Sequence, residues 1–261
     1  MIYQVCLGKS RNSKLYQFCM ESVENYCKNY GIDHIVQTEP ILKIKPDIKV
    51  TNRSRESYEK HGGFLPIYEK ENAFDYLDRY DQIAIIDADI YIKYDAPNIF
   101  DELPSEYDFG AVIEREMPIN DRYRKKILAY SQGQYRTLKD VEWNWSKSTG
   151  AEFFNMGLMI FNRSIKKYLN GETAKEFITR KEFKKFVDGM GNWKWSTDQT
   201  LLNYWVKKSG MTDKHLDWHW NALYKGIKDE YIKDAYYVHF FLKDHLPYKG
   251  ENIKELQKVL S

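Results

Sequence analysis

Three things are scarce in this sequence: cysteine, an excess of charge of one sign, and long apolar runs. Cysteine occurs only at Cys6, Cys19 and Cys27, an odd number, and two of them fall on an expected helix. That argues against a disulfide framework and for a reducing, cytoplasmic setting. The 40 basic residues are balanced by 38 acidic ones, leaving +2, which gives no electrostatic case for nucleic acid as a partner. No run approaches the roughly 18 apolar residues of a transmembrane segment. Met1 to Leu7 lacks the charged region and cleavage site of a leader and reads as a first strand. With no internal repeat, low-complexity segment or linker, the 261 residues are expected to form one domain.

What is present is organised around Ile83-Ala84-Ile85-Ile86-Asp87-Ala88-Asp89-Ile90-Tyr91-Ile92. A short apolar run rich in β-branched residues reads as a strand buried on both faces. Its carboxyl end is where open α/β sheets bind ligands. On an extended chain residues i and i+2 share a side, so Asp87 and Asp89 are expected to converge. Two carboxylates that close repel unless a cation lies between them, and their oxygens suit Mg²⁺ or Mn²⁺. The plainer reading is a turn cap beside a solvated carboxylate.

Along the chain, residues 2–7 read as a strand, Gly8-Lys9-Ser10 as the turn after it, 15–30 as a helix stopped by Gly31, and 34–37 as a second strand. This β-α-β opening starts a parallel sheet. Residues 39–63 read as a long polar loop able to fold over a ligand. Pro66 to Tyr80 reads as a helix entering the Asp87 strand, and Tyr107 to Ile113 as another strand. Residues 114–148 are charged and without clean period, which suits an insertion near the site.

Phe153 to Asn162 reads as a buried strand interrupted at Asn155 and Gly157. Glycine inside a strand marks either a bulge or the close approach of another group, and Asn155 is then placed to offer its amide to a sugar hydroxyl. Residues 165–187 read as helical and broken near Gly171. Ser196 and Gln199 fit a capping box, and Asp198 suits a positive helix end; a second reading has Asp198 facing the cleft and contacting a transferred group. Residues 216–221 and 235–241 read as late strands. His239, inside the second, is either a packed core residue or a ligand. The 21 tyrosines and 7 tryptophans serve a core as readily as they stack on sugars.

In their order these stretches resemble nucleotide-sugar glycosyltransferases of the GT-A fold, nearest to glycosyltransferase family 8 and the galactosyltransferase-like groups. The resemblance rests on Tyr80 to Ile83 leading into Asp87-Ala88-Asp89, on Phe154-Asn155-Met156-Gly157-Leu158-Met159, on Thr197-Asp198-Gln199, and on the segment opened by His239. It spans roughly residues 2 to 248. One departure stands out: Leu242 occupies the position of the family's glycine, Lys243 comes early, and Leu246-Pro247-Tyr248 replaces its lysine–proline–tryptophan ending.

The resemblance implies a mixed, mostly parallel α/β sheet flanked by helices in a single domain. Residues 1–113 form its nucleotide-binding half, and residues 114–261 carry the donor-sugar and acceptor side. It implies transfer of a sugar from a nucleoside-diphosphate sugar, a UDP-sugar first, to a hydroxyl of a glycan or other acceptor, with retention. Asp87, Asp89 and His239 would hold Mn²⁺ or Mg²⁺. Asp87, Lys243, Gly8 and Lys70 would bind the nucleotide, and Asp198 and Asn155 would act at the donor sugar. Two alternatives stay open. A sugar-1-phosphate nucleotidyltransferase wants a glycine-rich, arginine-bearing loop after strand one, of which Gly8-Lys9-Ser10-Arg11 is a poor version. The other is a carbohydrate-binding protein of the same fold without turnover.

Overall fold

A computed structural model describes residues 1–47 and 52–260. In chain order its strands are β1 (Ile2–Val5), β2 (His34–Gln37), β3 (Gln82–Ile86), β4 (Ile90–Ile92), β5 (Phe109–Ile113), β6 (Trp145–Ser146), β7 (Gly150–Ala151), β8 (Phe154–Asn162), β9 (Asp213–Leu216), β10 (Ala222–Leu223) and β11 (Tyr237–His239). Six build the main sheet in the order β2-β1-β3-β8-β5-β9. Only β8 runs against its neighbours; the other pairings are parallel. Both β3 and β8 lie in the middle of the sheet and are buried, which is why their sequences are apolar without alternation.

β4 leaves this sheet. It pairs antiparallel with β11, which pairs in turn with β10. The register sets His239 opposite Ile90, so a residue near the end of the chain arrives beside Asp89. Asp87 to Asp89 are thus a turn between two sheets, not part of one extended strand as the spacing suggested. The turn is held by bonds from the Ile90 amide to the Asp87 carbonyl (3.1 Å) and from the Phe240 amide to the Asp89 carbonyl (2.9 Å).

The helices that matter are α1 (Lys14–Tyr30), α2 (Asn52–His61), α3 (Asp121–Tyr135), the short α4 (Lys166–Leu169), α5 (Ala174–Ile178) and α6 (Lys184–Val187), and α7 (Asp198–Ser209). α1 buries Leu15, Cys19, Val23, Tyr26 and Cys27 and ends at Gly31 with φ 65°, a left-handed stop that favours glycine. All three cysteines are unpaired and buried.

Several expectations need correction. The stretch 39–63 is not one loop, since Asn52 to His61 is helical; Arg, Glu and Lys there are good helix formers, and Gly62 ends the run. The part of that loop at 48–51 lies outside the described residues. Pro66 to Tyr80 is wound as the 3₁₀ turns Pro66–Tyr68 and Lys70–Tyr76, which turns Lys70, Glu71 and Asn72 inward together. Residues 114–148 contain the regular helix α3, capped by the Asn120 side chain on the Tyr123 amide at 2.9 Å. The cap of α7 is Thr197, one residue later than expected, because the Ser196 hydroxyl donates to the Phe186 carbonyl. The strand expected at 216–221 ends at Leu216, where Asp217 caps the 3₁₀ turn Trp218–Asn221.

One buried carboxylate ties the layers together. Asp108, beside the start of β5, accepts from Ser164 (2.6 Å), Lys167 (2.9 Å), Tyr168 (2.8 Å) and the Thr212 amide (3.2 Å). Burial pushes its carboxyl up, but these donors outweigh it and hold the pKa down at about 2. Because folding lowers that pKa from 3.8, the contribution is whole above pH 3.8 and is lost as pH falls towards 2. It amounts to about 2 kcal/mol. We expect Asp108→Asn to remove this part of the acid sensitivity. Urea midpoints of both proteins from pH 6 to pH 2.5 check it, and parallel curves would refute it.

Candidate active site

The site forms where β3 and β11 end and β8 begins, and a local irregularity makes room for it. Along the β5 edge the register jumps, with Ala111 facing Met159 but Val112 facing Asn155, so residues 156–158 bulge away from β5. Bulges take backbone groups out of the ladder, and here side chains claim them. The Met156 amide donates to the Gln199 side chain at 3.2 Å, and its carbonyl accepts from Lys70 Nζ at 2.7 Å. Gly157 donates to Asn155 Oδ1 at 3.0 Å and accepts from the Asp87 amide at 2.8 Å. Both sequence readings of Gly157 hold: it lies in a bulge, and another group approaches it. A Cβ there would lie 2.3 Å from His239 Cε1 and 2.6 Å from His239 Nδ1.

Asp87, Asp89 and His239 each present one ligand atom within 4.8 Å of the others. His239 Nε2 is 3.3 Å from Asp89 Oδ1 and 3.8 Å from Asp87 Oδ2. Burial lowers the imidazole pKa, but the Asp89 hydrogen bond and charge outweigh it and raise the value. Burial likewise pushes Asp89 up, yet the bond and charge from His239 hold it below the ordinary carboxylate range. In Asp87 burial prevails over Lys70 and His239, and its carboxyl is raised. Two hard oxygens and one imidazole nitrogen, aimed at one point, fit a divalent cation such as Mn²⁺ or Mg²⁺.

The ring's orientation is fixed from behind by a chain of amides. His239 Nδ1 lies 3.2 Å from Asn221 Oδ1, Asn221 Nδ2 donates to Asn155 Oδ1 at 2.8 Å, and Asn155 Nδ2 donates to Glu114 Oε1 at 2.6 Å. A carboxylate at the far end can only accept, so each amide in turn is oriented, His239 Nδ1 donates to Asn221, and Nε2 is turned towards Asp89. A hydrogen bond on the far nitrogen is how metal-binding histidines are held.

Lys70 lies on the other side. Its ammonium is 2.9 Å from Asp87 Oδ1 and 2.7 Å from Asp198 Oδ2. Burial would lower its pKa, but the Asp198 and Asp87 charges outweigh that and raise it, so it is a permanent cation. Beside it Glu71 is fully buried, with no hydrogen-bond partner for either oxygen, and burial pushes its carboxyl well up.

The sequence candidates are therefore placed as follows. Asp87, Asp89, His239, Asp198 and Asn155 all line one cavity of about 380 Å³, together with Lys70 and Gly157. Asp198 is the first residue of α7, after its cap, and it also lines the cleft. Lys70, expected at the nucleotide, instead joins Asp87 to Asp198. Asn155, expected to offer its amide to a sugar, has that amide on Glu114. Lys243 is outside this cavity, with its ammonium on the ring and hydroxyl of Tyr16. Gly8 opens the turn after β1 with φ 55°. Glu114, Tyr123 and Asn221 were not anticipated. Glu114 accepts from the Tyr123 hydroxyl at 3.0 Å as well as from Asn155, and it directly follows β5. Like Asp87, it is a carboxylate at a strand's carboxyl end, and that is its signal in the sequence.

Sheet order, helical cover and an acidic turn at the carboxyl end of a central strand define the GT-A fold of glycosyltransferases. Among solved structures the chain is similar to a glycosyltransferase involved in glycosylation of the major capsid of PBCV-1, with a TM-score of 0.56 at 11% identity over 99% of this chain and 98% of that one. It is also similar to the galactosyltransferase LgtC, solved with donor and acceptor sugar analogues, with a TM-score of 0.54 at 13% identity over 99% and 94%. At such identities the likeness is one of fold. No family model matches the sequence, and no curated protein matches it.

Proposed function

We propose that this chain is a metal-dependent glycosyltransferase that moves a sugar from a nucleoside-diphosphate sugar, UDP first, to an acceptor hydroxyl with retention. The observation that carries the reading is the meeting of Asp87, Asp89 and His239 from two sheets on one side of a cleft, with Asp198 held on the other. A bound Mn²⁺ or Mg²⁺ would neutralise the leaving diphosphate. The chain's own residues do the rest. Asp198, fixed by Lys70, faces the donor sugar and stabilises positive charge developing at its anomeric carbon. Lys70 bridges Asp87 and Asp198 and holds them at a fixed separation. In the transfer the anomeric carbon–phosphate oxygen bond breaks, a bond to the acceptor oxygen forms, and the acceptor's proton leaves with the phosphate.

Residues 1–113 would hold the nucleotide, with Gly8 and Lys243 at its edge, and residues 114–261 the acceptor. Three unpaired cysteines suit a reducing cytoplasm. Among the described residues no helix is long and apolar enough to cross a membrane.

Calorimetry with UDP, with and without Mn²⁺, tests the reading. Wild type should bind UDP only with the metal. Asp89→Ala should lose that binding, by at least the 10² or so expected for one charge-stabilising contact, while its circular dichroism is unchanged. Sugar binding indifferent to Mn²⁺ would favour a carbohydrate-binding protein instead.

A further inference from the structure

The cleft continues past the acidic turn. Tyr123 and Lys126 of α3 line both the cavity already described and a second concavity, whose wall adds Arg122, Lys225 and Lys228. Its only carboxylate is Asp229, which is already engaged with Lys225 at 2.9 Å. Among the described residues no carboxylate pairs with Arg122, Lys126 or Lys228. The chain as a whole carries only +2, so this is a local concentration of charge and not a property of the surface at large.

The backbone beneath it is built, not loose. Residues Ile119 and Ile227 form an antiparallel bridge. The Asn120 amide donates to the Gly226 carbonyl at 3.0 Å, and the Lys228 amide to the Pro118 carbonyl at 3.0 Å. The Asn120 side chain reaches the carbonyls of Lys225 (3.0 Å) and Ile227 (3.2 Å). The start of α3 and the turn after β10 are thereby clamped side by side, which keeps like charges facing one concavity. That arrangement repels itself unless an anion enters, and a concave wall of one sign focuses its field on such a guest.

We infer that the acceptor is an anionic glycan, and that this groove binds its phosphate or carboxylate group while the hydroxyl to be glycosylated lies in the adjoining cavity. The inference rests on the transferase reading above and names its acceptor class. Donor phosphates are already assigned to a cation on Asp87, Asp89 and His239, which line the first cavity and not the second.

A glycan array carrying phosphorylated, carboxylated and neutral forms of the same saccharides, probed with the full chain plus UDP and Mn²⁺, tests it. Charged forms should bind about tenfold or more above their neutral parents, and the margin should shrink as salt rises. R122E/K228E, both at exposed positions outside the first cavity, should erase the preference without altering UDP–Mn²⁺ calorimetry. Equal binding of neutral forms, or a preference that survives the double variant, overturns the inference and leaves the transferase reading standing. Loss of UDP binding in wild type sinks the transferase reading instead. Binding to phosphatidylglycerol-rich vesicles with no preference among saccharides overturns the inference by making the groove a membrane contact. Phosphorylated against carboxylated spots distinguish the two sources of charge.

Discussion

Lys70→Met is expected to destabilise the protein by about 3–5 kcal/mol, the cost of stripping the partner from buried charges. The side chain fits, so the effect is electrostatic. Lys70 is the sole cation within salt-bridge reach of both Asp87 and Asp198 among the described residues, and it also satisfies the Met156 carbonyl freed by the bulge. Methionine would leave the buried Asp198 and the half-buried Asp87 without their shared cation, and that carbonyl without its donor. In a domain of this size the loss lowers the unfolding midpoint by roughly 10 °C. Mn²⁺ should restore part of it, because a cation on Asp87 replaces some of the missing charge and binds the folded state alone. Calorimetric scans of wild type and variant, each with and without Mn²⁺, check this. A Mn²⁺-induced rise no larger in the variant than in wild type would show that Lys70 and the ion do not share Asp87.

That lysine also shows where sequence reading stops. The sheet was legible because β3 and β8 are buried on both faces and their composition says so. α1 was legible from its apolar period and Gly31. α3 was not, because its buried face mixes Tyr123, Ile127, Ser131, Gln134 and Tyr135, and polar residues that bond inward look solvated in a pattern. Lys70, Glu71 and Asn72 look like the wet side of a helix for the same reason, yet 3₁₀ winding buries all three and brings Lys70 into the site. Asp87, Asp89 and His239 could be nominated singly from local pattern and resemblance. Their meeting depends on β4 leaving the main sheet to pair with β11, a long-range pairing that no local pattern encodes. The amide chain from Glu114 to His239 is still less visible, since it joins four residues whose first and last are 125 apart in sequence (239 − 114).

Gly157→Ala adds one methyl group and is expected to remove most of the metal affinity. Gly157 does not have a positive φ, so alanine meets no backbone penalty, and everything depends on contact. The new Cβ would sit 2.3 Å from His239 Cε1 and 3.0 Å from Asn155 Oδ1, closer than atoms pack. Strand β8 cannot recede, because β3 is paired to it on one side and Gly157 itself holds the Asp87 amide. The imidazole must therefore swing off Asn221 and away from the acidic turn. Overpacking of this kind costs about 1–3 kcal/mol, and displacing a ligand's orienting bond weakens metal binding by about 10–100-fold. The two effects separate in a double-mutant cycle. In a His239→Ala background the ring is gone, so Gly157→Ala should regain most of its lost stability and change Mn²⁺ affinity no further. Additive losses in both quantities would mean that residue 157 acts through β8 and the acidic turn, with no steric link to the imidazole.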